Sequence, residues 1–131
     1  MSGLLQSQFH PQGSAAVRTL QELNIASGDI EASVALTSDG FMIGAALGEG
    51  SSGRHDTDIC APLLNLAECA ASEVLYGQVK LLMLELSTGM LLLQQAGSGA
   101  VLAVAARPSA NPGMLLHAAR KAARQLQQIL S

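Results

Sequence analysis

Residues Ile30–Ala46 read IEASVALTSDGFMIGAA, and this stretch decides the fold. Ile30, Ala32, Val34 and Leu36 alternate with Glu31, Ser33, Ala35 and Thr37, the period of two expected of a strand. Asp39-Gly40 follows, a dipeptide whose members both tolerate positive φ and which therefore marks a tight hairpin. The return strand is expected over Phe41–Leu47. The chain accordingly contains an antiparallel pair near its start.

Outward from this hairpin, the pattern turns helical on both sides. Before it, Ala15, Val17, Leu20, Leu23 and Ala26 form the stripe of a short amphipathic helix, with Ser14 as its expected cap and Gly28 closing it. Residues 1–13 are polar and irregular and are expected to be a flexible leader to one domain over 14–131. After the hairpin comes a Gly- and Ser-rich connector, Gly48–Gly53. A central helix is then expected from about Asp58 to Tyr76, with Gly77 ending it. Val79–Leu86, Met90–Ala96 and Ala100–Ala106 read as three strands, divided by Thr88-Gly89 and by Gly97-Ser98-Gly99. They are apolar on both sides, as strands covered on both faces are. Asn111 and Pro112 open a last helix running to about Leu130, with the stripe Leu115, Ala119, Ala122, Leu126 and Ile129.

Composition explains why one domain of this kind must cover so much apolar surface. Of 131 residues, 49% are hydrophobic and 13% charged, and the mean hydropathy is +0.33. Aromatics make up only 2%, so the apolar mass is aliphatic. That excludes a disordered chain and leaves no stacking platform for single-stranded nucleic acid. So much apolar surface in a small domain points to a partner covering part of it. Net charge is −3, with no general attraction to phosphate backbones. Its distribution is uneven. Residues 1–85 hold three basic and ten acidic side chains, whereas 86–131 hold Arg107, Arg120, Lys121 and Arg124 and no acid. Such asymmetry fits either a face for an acidic partner or a solvated helix balancing an acidic half.

The chemistry-bearing residues form no catalytic set. Gly48–Gly53 has the spacing of a phosphate loop, but Arg54 and His55 stand where Lys and Ser/Thr belong, and Glu49 would sit near the phosphates. His55, Asp56, Asp58 and Cys60 lack a zinc spacing, and the two Asp residues are natural helix caps. Cys60 and Cys69 lie on opposite sides of one expected helix and cannot pair. Leu86–Ala106 carries no charge, yet its Gly, Ser, Thr and Gln residues divide it into strands rather than a membrane span. With no basic start and apolar run for secretion, the chain is expected in the cytoplasm, without cofactor or metal, and not as an enzyme.

The central helix is the most informative element. Ile59, Leu63, Leu66, Ala70 and Val74 form one apolar stripe, and Cys60, Leu64, Ala67, Ala71 and Leu75 a second. Asn65, Glu68, Cys69, Ser72, Glu73 and Tyr76 form a polar third. One stripe covers a sheet; the second, with its small Ala67 and Ala71, suits either a partner helix or burial beneath other parts of its own chain, and the small size of the domain favours the partner.

Helix, two strands, helix, three strands and helix, with the Asp39-Gly40 turn and the Gly-separated strands, resemble a roadblock/LC7 domain. The resemblance runs over nearly all of 14–130. It implies an α+β, profilin-like fold in the order α-β-β-α-β-β-β-α, a five-stranded antiparallel sheet between helices, with the terminal helices sharing one face. It implies a homodimer in which the strand after the central helix pairs with its copy and the central helices pack together. On this chain those contacts fall on Ile59, Cys60, Leu63, Leu64, Ala67, Ala71, Leu75, Val79, Leu81, Leu82, Met83 and Leu84. It further implies a non-catalytic adaptor, bacterial in type, that regulates a Ras-like small GTPase through Asn65, Glu68, Ser72 and Glu73. A profilin-like sensory domain holding a small ligand between sheet and helix is the alternative.

Overall fold

The computed structural model describes residues 12–37, 41–48, 73–74, 77–97 and 99–130. In chain order its elements are α1 (Gly13–Ala26), β1 (Ile30–Thr37), β2 (Met42–Leu47), β3 (Glu73–Val74), β4 (Gly77–Gln78), β5 (Leu81–Leu86), β6 (Gly89–Ala96), β7 (Ala100–Ala106) and α2 (Pro112–Leu130). Five strands make one antiparallel sheet in the order β2-β1-β7-β6-β5, and β3 and β4 form a separate two-stranded ladder.

The sheet is built from local hairpins and one long-range pairing. β1 and β2 form the expected hairpin, with Ala32 opposite Leu47 and Leu36 opposite Met42. The Asp39-Gly40 turn itself lies outside the described residues. Thr37 N donates to Phe41 O at 2.7 Å, and Phe41 N donates to Thr37 Oγ1 at 3.0 Å, closing the strand ends. β5, β6 and β7 run as a meander. Leu86 already pairs with Gly89, so the first turn is Ser87-Thr88 rather than the expected Thr88-Gly89. β7 then pairs with β1 along its length, from Thr37 opposite Ala100 to Ile30 opposite Ala106. That pairing joins the two hairpin systems and puts β2 and β5 at opposite edges.

Side chains alternate between two clusters. Ala100, Leu102, Val104 and Ala106 of β7 join Met90, Leu92 and Ala96 of β6 in the larger one. Both helices pack there through Ala16, Leu20 and Leu23 of α1 and Leu115, Ala119, Ala122, Ala123 and Leu126 of α2. Val101, Ala103 and Ala105 face the other way with Val34, Leu36 and Leu93. The terminal helices therefore share one face, as the resemblance implied. At about 1.5–3 kcal/mol for each fully buried Leu, Ile or Met, this layer is the main source of stability.

Three local features depart from the expected pattern. The register slips between Ile30 and Ala32, so Ile30 sits in the helix-facing cluster and Val34 and Leu36 in the opposite one. The strict alternation breaks at this bulge, where one extra residue shifts the phase. α1 begins at Gly13 with Gln12 as cap and no capping side chain, which leaves Ser14 as an exposed helical residue rather than the cap. Asn24, off the expected stripe, is 6% exposed: its Nδ2 donates to Ala46 O at 3.2 Å and its Oδ1 accepts from Ser33 Oγ at 2.9 Å. One amide thus ties α1 to both strands of the first hairpin. The cap of α2 is as expected, with Met114 N donating to Asn111 Oδ1 at 3.0 Å.

Gly48 marks the closest backbone approach. Its N–H donates to Glu31 O at 2.8 Å, and a Cβ there would collide with the Ile30 carbonyl. Gly48→Ala should therefore cost about 1–3 kcal/mol in chemical denaturation. Gly28→Ala, with nothing within 4 Å of its Cβ, should leave the midpoint unchanged. Equal midpoints for the two variants would contradict the register at the bulge.

Candidate functional site

The expected interface residues fall on either side of the boundary of the described residues. Ile59, Cys60, Leu63, Leu64, Asn65, Ala67, Glu68, Ala71, Ser72 and Leu75 lie outside them. So do His55, Asp56 and Asp58, and the glycine connector beyond Gly48. The end of the expected central helix is corrected: Glu73 and Val74 are strand residues, opposite Gln78 and Gly77. Gly77 has a φ of +114°, one that L-residues with a side chain rarely adopt. The glycine expected to terminate a helix instead pairs with Val74 in a two-stranded ladder, so the helix expected to run to Tyr76 does not include Glu73 and Val74.

The strand expected over Val79–Leu86 begins in fact at Leu81 and is the sheet's edge. β6 takes one side of β5, and no described strand takes the other. Its side chains divide between the faces. Leu81 and Met83 pack against the helix-facing cluster, and Leu82 and the preceding Val79 against the opposite one. Leu84 packs against neither cluster yet is half-buried, while Glu85 is exposed and Leu86 is 50% exposed. Four consecutive aliphatic side chains, Leu81–Leu84, therefore lie half-covered on an open edge. Such an edge offers a row of backbone donors and acceptors to another strand, and natural proteins usually blunt it with charge, proline or a bulge. Here Lys80 and Glu85 flank the row, and none of its four members carries a charge.

Backbone at the start of the edge is anchored by its neighbour. Gln95 N donates to Lys80 O at 2.9 Å, extending the ladder beyond Leu81. Gln94 Nε2 also reaches Lys80 O at 3.4 Å and Gln95 O at 3.3 Å. Its Oε1 is buried without a hydrogen-bond partner. These polar contacts, on a residue that sequence periodicity places within an apolar strand, hold the entrance of β5 against β6.

Other kinds of site find little support among the described residues. No group of three His, Cys, Asp or Glu side chains there could hold a metal ion. No helix there is long and apolar enough to cross a membrane. A cleft of about 90 Å³ lies between α1 and α2, lined by Glu22, Leu23, Ala26, Ala118, Lys121, Ala122 and Gln125. It is smaller than the roughly 300 Å³ from which small-molecule pockets begin, and it separates two helices rather than a sheet and a helix.

Leu82→Asp would place an unpaired carboxylate against Leu91 and Leu93. We expect it to destabilise the fold by about 2 kcal/mol or more in urea denaturation. An unchanged midpoint would contradict the packing of Leu82 against the cluster of Val34, Leu93 and Ala103.

Comparisons with known proteins agree with this architecture. The sequence model of the Roadblock/LC7 domain matches residues 16–106. No curated protein sequence matches the chain significantly. Among solved structures, "MglB with tetrameric arrangement" superposes with a TM-score of 0.78 at 18% identity, covering 91% of this chain and 90% of that one. The gliding protein mglB from Thermus thermophilus gives 0.77 at 18% identity, covering 91% and 90%. A Roadblock/LC7 domain from Streptomyces avermitilis gives 0.64 at 22% identity, covering 87% and 96%. At these identities the structures establish a shared fold. The matched span runs from inside α1 to the last residue of β7, so every strand of the five-stranded sheet falls within it, and the chain belongs to the roadblock/LC7 family.

Proposed function

We propose that the chain is a non-catalytic homodimeric adaptor that binds and regulates a Ras-like small GTPase in the cytoplasm. Its membership of the roadblock/LC7 family, matched over residues 16–106, carries this reading. The family resemblance implies regulatory and adaptor surfaces that serve Ras-like small GTPases, and the chain shares the fold of MglB. The open edge of β5 supports the dimer. Two copies related by a two-fold axis would pair β5 with β5 antiparallel, extend one sheet across both subunits and cover the Leu81–Leu84 row. The expected contacts on Ile59, Cys60, Leu63, Leu64, Ala67, Ala71 and Leu75 would adjoin that seam. Asn65, Glu68, Ser72 and Glu73 are the proposed GTPase contacts.

Leu84 separates folding from assembly, because it packs against neither core cluster. Light scattering should give the mass of a dimer for the wild type. Leu84→Lys, which places a charge on the edge, should give a folded monomer by the same measurement with an unchanged circular dichroism spectrum. A monomeric wild type, or a variant that remains a dimer, would contradict the proposed seam. For the partner, immobilised wild-type protein should retain a Ras-like GTPase from solution, with the two nucleotide states retained unequally. Glu68→Arg with Glu73→Arg should reduce retention at least tenfold. A dimer that retains no GTPase in either state would overturn the functional reading and leave the assembly intact.

A further inference from the structure

We infer that the outer face of α2 is a second docking surface, independent of the β5 edge, for a carboxylate-rich segment of a partner protein. His117, Arg120, Lys121 and Arg124 are all exposed. Their spacing of three and four residues stacks them on one face of the helix. Leu115, Ala119, Ala122, Ala123 and Leu126 are buried on the other side, so His117, Arg120 and Arg124 point away from the core, while Lys121 also borders the cleft toward α1.

A face that merely stays wet does not need this arrangement. Arg120 with Arg124, and Lys121 with Arg124, are like-charged neighbours at helical contact spacing, and such pairs weaken a helix. No acid occurs anywhere from residue 86 to 131 to relieve them; Glu22 of α1 shares a cleft with Lys121, and neither Arg120 nor Arg124 lines that cleft. Arg120, Lys121 and Arg124 have no ion-pair partner among the described residues. The helix dipole gives no compensation either, since the last turn of α2 contains no basic residue and these three lie further inside. α1 shows the ordinary solution, with exposed Arg18 and Glu22 of opposite sign four residues apart. Like charges concentrated on one helix, while its packed neighbour mixes them, suit an external anion.

The chemistry selects a protein segment. The stripe from His117 to Arg124 is about 10 Å long, the length of a few residues of extended chain. Two arginines present planar forks that match carboxylates in bidentate fashion. A membrane surface fits poorly, because the apolar side of α2 is locked in the core and the chain's net charge is −3. Met114, 70% exposed, flanks the stripe at its N-terminal end and offers one apolar contact. The predicted ligand is a short acidic run with an aliphatic residue at one end.

The test uses a fluorescein-labelled peptide of eight glutamates followed by one leucine, read by anisotropy. Wild-type protein should bind it at low salt, with affinity falling steeply as screening increases. Arg120→Glu with Arg124→Glu should lose at least tenfold in affinity. Arg18→Glu with Lys80→Glu changes net charge equally at exposed sites off α2 and should stay within twofold. If the reversal unfolds α2 by circular dichroism, Arg120→Gln with Arg124→Gln should show the same loss. Equal losses in the α2 and control variants, or no peptide binding, would overturn the proposal. So would binding to vesicles with 30% phosphatidylserine in place of the peptide.

Discussion

Strand β7 is buried along its whole length, and the rest of the structure follows from that burial. All seven residues from Ala100 to Ala106 are covered, alternating between the two side-chain clusters. A strand buried on both sides must have pairing partners on both edges and cover on both faces, because its backbone groups can reach no water. β1 and β6 take the edges. One face is closed by α1 and α2, held together through Leu20, Leu23, Leu115 and Leu126. The small side chains of β7, four of them Ala, let these layers approach closely. Among the described residues, pairing with β1 is the strand pairing that joins the N-terminal hairpin to the C-terminal meander, and it leaves β2 and β5 as the edges.

Those two edges differ in what they expose. β2 is packed by α1 and tied to it through Asn24 and the Ala46 carbonyl. β5 is half-covered, and its aliphatic row divides between the two faces. The asymmetry gives a physical basis for placing self-association at β5. Roadblock/LC7 membership then supplies the context in which the proposed adaptor role is placed.

Much of this fold is legible in the sequence, for identifiable reasons. The hairpin of Ile30–Leu47 rests on alternation and turn chemistry, and the strand Ala100–Ala106 on an unbroken apolar run set off by the glycines before it, all local signals. The start of α2 rests on Asn111 and Pro112, again local. What is not legible depends on contacts distant in sequence. The bulge that turns Ile30 toward the helices is set by pairing with β7. Asn24 is an ordinary polar helix residue in the sequence and becomes a tie only when Ser33 and Ala46 are brought to it. The helical spacing that begins at Ile59 extends over Glu73 and Val74, whereas pairing with Gln78 and Gly77 places them in a two-stranded ladder. At the candidate site, the apolar character of β5 is evident in Leu81–Leu84. Its position at an edge is not, because strand order is decided by β1–β7 pairing and reaches the sequence reading only through family resemblance.

The central claim is that β5 is an edge in the single chain and a seam in the assembled protein. Hydrogen exchange followed across a dilution series tests it most directly, since association protects only the amides it covers. Protection of residues 81–86 should rise with protein concentration, while residues 42–47 of β2 stay constant. Exchange in β5 that does not depend on concentration, or protection that rises at β2 instead, would contradict the account.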